Sequence, residues 1–384
     1  MLKPGADTAR GGSPTTINNK GWKMKITFKA SVCAVVATVA GFIATVDGGT
    51  AYGQQQEETT PIPRYVVVPR KNTRFAPLAA SLATWTYGWT YAGSTYGASI
   101  VGSDPSGNAT TTVPVFIIPI KIVVAGQTFS PTTLQSNGKS AIATTLQSPL
   151  FKDLTFKEAG KNVGNGPTQY IDAFQRAGFW QTASTNTEWH TLFGTPTVLP
   201  MQTIKVPPAH GSVQNPYGNL NVAVADINYF DPLVQAIIAK FPQITGDAVP
   251  LFVLYDTYLY DGSYAGGCCI GGYHSYDGVN AYSVSSYISV SGDFAEDVAA
   301  LSHEFGELVM DPFTDNDSPC GILEVGDPLE GDANFGTYPY VRAEFTYHLQ
   351  DLVLIPYFGA PPATSLAHRS TFQGTSLAVC QNGS

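Results

Sequence analysis

Between Phe241 and Val341 the chain carries sixteen aspartate and glutamate residues and no lysine or arginine. A folded chain must leave so much unbalanced negative charge in water, meet it with basic residues distant in sequence, or gather it around a bound cation, the most economical answer, because buried charge needs a partner. The acids concentrate in Asp293–Asp327, which reads DFAEDVAALSHEFGELVMDPFTDNDSPCGILEVGD. Asp293 with Glu296 three residues on gives a capping-box pattern, and Pro312 biases Asp311 away from helical geometry. The spacing therefore predicts a helix from Asp293 to about Met310. Phe294, Val298, Leu301, Phe305, Leu308 and Val309 fall on one face of it, and His303, Glu304 and Glu307 on the other. Carboxylates near a helix C-terminus oppose the macrodipole, which a bound cation would offset. A solvated acidic face on an ordinary amphipathic helix fits the same periodicity.

His303, Glu304 and Glu307 form HExxE, one letter from the HExxH of zinc metallohydrolases. In the HExxH pattern two histidines one helical turn apart are metal ligands, and the glutamate between them is the general base toward water. By that logic His303 and Glu307 are metal ligands and Glu304 the catalytic base. Replacing a histidine by Glu307 makes a metal less electrophilic and widens the choice of ion from zinc toward calcium. Glu324, seventeen residues beyond Glu307, and Asp327 in LEVGD complete the predicted metal set. Asp311 and His274 are further candidates, as ligands or as groups that hold the ligands in place. A hydrogen-bonded loop histidine is the alternative for His274. His190 and His348 are assigned to packing and hydrogen bonding. Neither a Gly-x-Ser-x-Gly elbow nor a phosphate-binding glycine loop occurs.

The chain has 384 residues, 13% charged and 43% hydrophobic, with a formal net charge of −9. Such a chain folds, and its acidity argues against nucleic acid as a partner. Glycine, proline, tyrosine and phenylalanine are abundant, which favours β structure with many turns. The expected fold class is α+β, a β-rich chain with a zincin-like metal-binding helix packed on a sheet.

Residues 1–53 read as a targeting segment. Met24, the expected true start, opens a basic region with Lys25 and Lys29; an apolar run from Ala30 to Val46 follows, and Ala51-Tyr52-Gly53 makes a small-x-small cleavage site before Gln54. The run is short for a membrane anchor and has no stop-transfer pattern, and Cys33 has no lipobox-like context. Secretion or a periplasmic location is expected, with no stable membrane insertion after processing. Removing residues 1–53 takes away six basic and two acidic residues, leaving 14 against 27 and a net charge of −13.

Cys268, Cys269, Cys320 and Cys380 remain, an even number that predicts two disulfides in an exported chain. Adjacent Cys268 and Cys269 are poorly disposed to bridge each other, so each is expected to pair with Cys320 or Cys380; a cysteine-ligated zinc is the rival reading. In chain order, Gln54–Pro63 is a polar leader, Tyr65–Val68 a first strand, and Thr84–Tyr96 an aromatic β face or binding loop. Val113–Val124 is a buried strand with Pro119 as an interruption or edge. Tyr170–Trp180 is a short helix, Asn186–Met201 turn and strand, Asp226–Phe241 a second helix, and Val249–Tyr260 one strong strand. The glycine-rich GGCCIGGYH loop and a strand within Ala281–Val290 then lead into the HExxE helix. The expected organisation is a β-rich part 54–246 and a metal-site part 247–384 in one continuous globular unit, with a separate domain or a pro-region as alternatives for the first.

CCIGGYHS, SHEFGELVMDP, LEVGDPL and FTYHLQDL together resemble a group of exported bacterial proteins with a SHExxE…DP core and, more distantly, the plant phosphate-induced (Exordium-like) proteins. The resemblance covers roughly the last 140 residues. It implies export and a zincin-like core, and carries over onto His303, Glu304, Glu307, Asp311, Glu324 and Asp327, but it supplies no reaction. Two functions follow as expectations. One is a secreted metal-dependent hydrolase, a peptidase with zinc as first choice, acting on a peptide or cell-surface polymer. The other is a non-catalytic exported protein whose carboxylates hold a structural calcium or zinc, and which binds a cell-wall or protein partner.

Overall fold

A computed structural model describes residues 82–330, 336–374 and 376–381. The expected targeting segment 1–53, the leader Gln54–Pro63 and the strand Tyr65–Val68 lie outside them. No helix among the described residues is long and apolar enough to cross a membrane. The architecture is α+β, with helices packed on β-sheets.

The largest sheet has seven strands, and five of them form its continuous path. In chain order these are β1 (Val115–Val124), β2 (Gln202–Val206), β3 (Val249–Tyr255), β4 (Gly272–Tyr276) and β5 (Ala281–Tyr287); in space they run β2-β1-β3-β5-β4. All pairs along this path are parallel except β4 with β5. Parallel strands covered on both faces read as unbroken apolar runs, as VPLFVLY in β3 does. Residues before and after position 246 share this sheet, since β1 pairs with β3 along Val115–Pro119.

Pro119 interrupts pairing without ending the strand. Toward its N-terminus β1 pairs with Thr197–Val198, and beyond Pro119 with β2. Val198 lies opposite Ile117 and Gln202 opposite Ile120, so the partner has one extra residue where β1 has Pro119. A bulge of this kind accommodates a residue that has no N–H to give.

Alternation sends successive residues to opposite faces. Ile118, Ile120, Phe252, Leu254, Tyr282 and Val284 join one core with Phe230, Val234 and Ile237 of the helix Ile227–Ile238. Ile117, Leu251, Val253 and Ala281 join the other core with Leu301, Phe305 and Leu308 of the site helix, Ala299–Met310. On that second face β4 and β5 carry small or polar residues: Gly272 lies opposite Ser285, and His274 opposite Ser283. A Cβ at Gly272 would sit 2.8 Å from Glu304 Oε1, so glycine is needed for the helix to approach.

Several sequence expectations are corrected. The site helix begins at Ala299, not at Asp293. Asp297 has φ of +45° and breaks the helical path. The reciprocal capping-box bonds do not form; in an isolated turn Asp293 accepts instead from Ala295 N at 2.8 Å and Glu296 from Gly292 N at 2.7 Å. Phe294 stacks on Tyr258 instead of lining the helix. The helix is buried all round, with His303 and Glu304 at 0% exposure and Glu307 at 1%, so the solvated acidic face is excluded. The predicted single strand Val249–Tyr260 is two: at Asp256, φ +44°, the chain leaves β3 for Thr257–Tyr260 of a separate four-stranded sheet. Thr84–Tyr91 and Ser94–Val101 form a hairpin whose aromatic residues are packing elements, with Trp85 and Tyr87 edge-on to Phe179.

The disulfide pairing is also corrected. Cys268 is bonded to its neighbour Cys269, and Cys320 to Cys380. The first pair belongs to a buried cluster with Val222, Val224 and Tyr258, whereas Cys320 packs against the core of the site helix. The predicted cross-pairing would have to join two different cores. The Cys320–Cys380 bond closes a stretch of 60 residues. Replacing both cysteines by serine is expected to cost about 4 kcal/mol, the chain-entropy value for such a loop, readable as a lower urea midpoint under oxidising conditions.

Candidate metal centre

Three elements bring the site together. The helix supplies His303, Glu304 and Glu307; the segment after it supplies Glu324 and Asp327; β4 supplies His274. His303 and Glu307 are one helical turn apart, with Nε2 3.0 Å from Oε1. Asp327 Oδ1 lies 3.5 Å from the same Nε2. On the other side His274 Nδ1 is 3.5 Å from Glu307 Oε2, 3.6 Å from Glu304 Oε2 and 3.9 Å from Glu324 Oε2. His303, Glu304 and Glu307 could hold a metal ion, and so could His274, Glu307 and Glu324. The sequence had offered His274 only as an additional ligand or supporting group; it lies among the carboxylates.

Each imidazole is oriented by a neutral acceptor. His303 Nδ1 donates to Gln350 Oε1 at 3.0 Å, which turns Nε2 toward Glu307 and Asp327. His274 Nε2 donates to the Asp311 carbonyl at 3.1 Å, which turns Nδ1 toward Glu304, Glu307 and Glu324. Such contacts fix the tautomer and ring plane of a metal-binding histidine. Gln350 in turn donates from its side-chain amide to Gly326 O at 3.3 Å and from its backbone N–H to Ser302 Oγ at 2.8 Å. Gly326 N donates to Glu307 Oε1 at 3.1 Å. The loop, the helix and the strand Phe345–Gln350 are thereby tied at one point.

Asp311, a candidate further ligand, meets the centre through its backbone carbonyl at His274, and its Oδ2 is buried without a hydrogen bond among the described residues. Its Oδ1 accepts from Asp315 N at 3.0 Å and Asn316 N at 3.1 Å, closing the turn after the helix. His348 and His190 form hydrogen bonds apart from the centre, to Asp297 Oδ2 at 2.7 Å and to Asp172 Oδ2 at 2.8 Å. Glu296, Asp297 and His348 make a third group of metal-capable side chains, but Asp297 is already spent on the ring and backbone N–H of His348. The four cysteines, all in disulfides, are no part of a metal site. Sequence reading missed Gln350, Ser302 and Gly326. The sequence signal for Gln350 is its place in FTYHLQDL, two residues beyond His348.

The electrostatics are those of carboxylates taken out of water with too little positive charge. Both oxygens of Glu304 and of Glu324 are buried and make no hydrogen bond among the described residues. Burial pushes Glu304 up to about 8, against the pull of His274 and His303. Burial and then the Glu307 charge push Glu324 well above the ordinary carboxylate range, and raise Asp327 for the same reasons. Burial also raises Asp311, to about 6. Glu307 goes the other way: burial disfavours its charge, but His303 and His274 outweigh that and hold it low. Burial opposes the imidazolium forms, yet Glu324 at His274 and Glu307 at His303 lead the carboxylates that raise both histidines.

Matched against protein-family models, curated proteins and solved structures, the chain finds no counterpart in any of the three.

Two outcomes are expected. Every raised group binds more protons folded than unfolded, so metal-free protein loses stability as pH rises from about 5 toward 8. Glu307 does not counter this, because a lowered carboxylate loses its contribution only in stronger acid. Chelator-treated protein should therefore melt lower at about pH 8 than at about pH 5.5, and added Zn2+ or Mn2+ should reverse the order by displacing those protons. Separately, a Cβ at Gly326 would lie 2.3 Å from His303 Nδ1. Gly326→Ala should displace the ring and weaken metal affinity about 10–100-fold, measured by competition with a chromophoric chelator.

Proposed function

We propose that the protein is a metal-dependent hydrolase that cleaves peptide bonds, with His303, Glu307 and Asp327 holding a divalent cation and Glu304 acting as general base. The observation that carries this reading is Glu304 itself. It is wholly buried beside the His303–Glu307 pair, and neither of its oxygens makes a hydrogen bond among the described residues. A carboxylate kept for structure would be expected to have hydrogen-bond partners. With its proton affinity raised to about 8, Glu304 can take and return a proton near neutral pH.

The donor set fits a cation of the zinc class. Imidazole nitrogen with carboxylate oxygens suits zinc or manganese better than calcium, which prefers oxygen throughout. Such a cation supplies Lewis acidity toward a substrate carbonyl and makes water more acidic. Around it, Gln350 holds the His303 ring and Gly326 N–H holds Glu307, while Glu304 is left to accept a proton from water and pass it to the leaving amine. The side chain of Asp327 is 24% exposed and gives the centre its solvent side. Export, suggested by the N-terminal sequence, would put this chemistry outside the cytoplasm, where the two disulfides are compatible with the redox conditions.

A second reading rests on the burial of His274, His303, Glu304 and Glu307, which equally suits a structural cation in a protein that binds a cell-wall or protein partner. Metal analysis by plasma mass spectrometry on wild type and His303→Ala, with turnover of a peptide library by wild type and Glu304→Gln, separates the two. The hydrolase should contain zinc that His303→Ala loses, and Glu304→Gln should keep the metal while losing about 10²–10⁴-fold in rate. A Glu304→Gln variant that loses metal and melts lower, in a protein without peptidase activity, would establish the structural reading.

A further inference from the structure

Glu307 faces two ways. Its Oε1 is 3.0 Å from His303 Nε2, and its Oε2 is 3.5 Å from His274 Nδ1. Each imidazole stands with a second carboxylate, Asp327 at 3.5 Å from His303 and Glu324 at 3.9 Å from His274. The two metal-capable groups at the centre, His303 with Glu304 and Glu307 and His274 with Glu307 and Glu324, therefore share Glu307, and Glu304 of the first group also stands 3.6 Å from His274. We propose that Glu307 bridges two divalent cations, the first held with His303 and Asp327, the second with His274 and Glu324. This rests on the hydrolase reading and enlarges it from one metal to two.

Three independent observations carry the second position. The first is the set of side chains aimed into it. His274 Nδ1 and both Glu324 oxygens are buried without a hydrogen bond among the described residues, although His274 is 0% and Glu324 6% exposed. The second is the ring's orientation: Nε2 faces the Asp311 carbonyl at 3.1 Å, so in the neutral form that a metal requires, the proton sits on Nε2 and the Nδ1 lone pair faces the carboxylates. Donor atoms around one zinc-sized ion lie roughly 3–3.5 Å apart. The His274 distances of 3.5 and 3.9 Å need only a few tenths of an ångström of closure.

The third is charge. Once ionised, as metal ligands must be, Glu304, Glu307, Glu324 and Asp327 would bring four negative charges into the centre beside the buried Asp311, and among the described residues the ion pairs they make are with His274 and His303. One divalent cation with two neutral imidazoles would leave two net charges in a nearly dry environment, which is costly. Two divalent cations balance the four. Paired sites of this kind hold their ions about 3.5–4 Å apart and clamp both the attacking and the leaving group. Glu304, near His274 as well as His303, stands beside both positions.

The test is metal stoichiometry on the full mature chain, titrated with Zn2+ and, in parallel, loaded with Mn2+ for electron paramagnetic resonance. Wild type should bind two equivalents and show exchange coupling between the two Mn2+ ions. His274→Gln and Glu324→Gln should each retain one equivalent and lose the coupling; Glu324 lies outside the sheet, which guards against a folding defect at His274. Glu307→Gln should abolish the coupling and weaken both sites at least tenfold. A single equivalent in wild type, unaffected by His274→Gln or Glu324→Gln, would overturn the second position and leave the one-metal hydrolase standing. Two equivalents bound at wild-type affinity, with the coupling retained, in Glu307→Gln would overturn the bridge. No uptake in wild type would overturn the bridge and the hydrolase reading together.

Discussion

Buried carboxylates without lysine or arginine to match them are the condition around which this molecule is arranged. Glu304, Glu307 and Glu324 lie in the protein interior, and their ion pairs run to two histidines. Such a cluster repels itself, and the rest of the fold holds it in place against that repulsion. Hydrophobic contacts of Leu301, Phe305 and Leu308 keep the helix on the sheet, and the links through Gln350 and Gly326 keep the acidic loop on the helix. Stability lent by packing is stored as charge density at one place, a common basis for metal affinity.

The division of labour along each strand makes this possible. Tyr273, Tyr282 and Val284 bury their side chains in the core opposite the site, while Gly272, His274, Ser283 and Ser285 form a low floor beneath the helix. Small side chains on that face let the helix come near enough for Glu304 and Glu307 to reach His274. Bulk on one face and economy on the other are both consequences of a period of two.

Much of this was legible in the sequence, for physical reasons. The acidic run without basic residues is a composition signal, and HExxE is a spacing signal; both survive without knowledge of tertiary contacts. The continuous apolar runs of β1 and β3 announced strands covered on both faces. What was not legible depended on backbone turns and distant partners. The left-handed conformations of Asp256 and Asp297 split one predicted strand and shortened the predicted helix, although neither residue is a glycine. Asp293 and Glu296 stand at capping-box spacing, yet their side chains close a turn that stops short of the helix. The cysteine pairing depended on which core each cysteine entered, which periodicity does not report. Gln350 lies 47 residues from the histidine it orients, beyond the reach of any local pattern.

The bulge opposite Pro119 bears on the alignment of the sheet. A parallel sheet of smooth apolar strands has little to stop one strand sliding past the next, and a slide of one residue exchanges the two faces. Pro119 and the extra residue facing it act as a pin, since only one alignment puts the missing donor against the slack. That pin acts on the outer edge of β1; on the inner edge β1, β3, β5 and β4 follow one another in unbroken register, and there the same period of two turns His274 rather than Tyr273 toward the carboxylates. A proline therefore fixes the outer margin of the sheet, and leaves the alignment beneath the site helix to the pairing of β3, β5 and β4 alone.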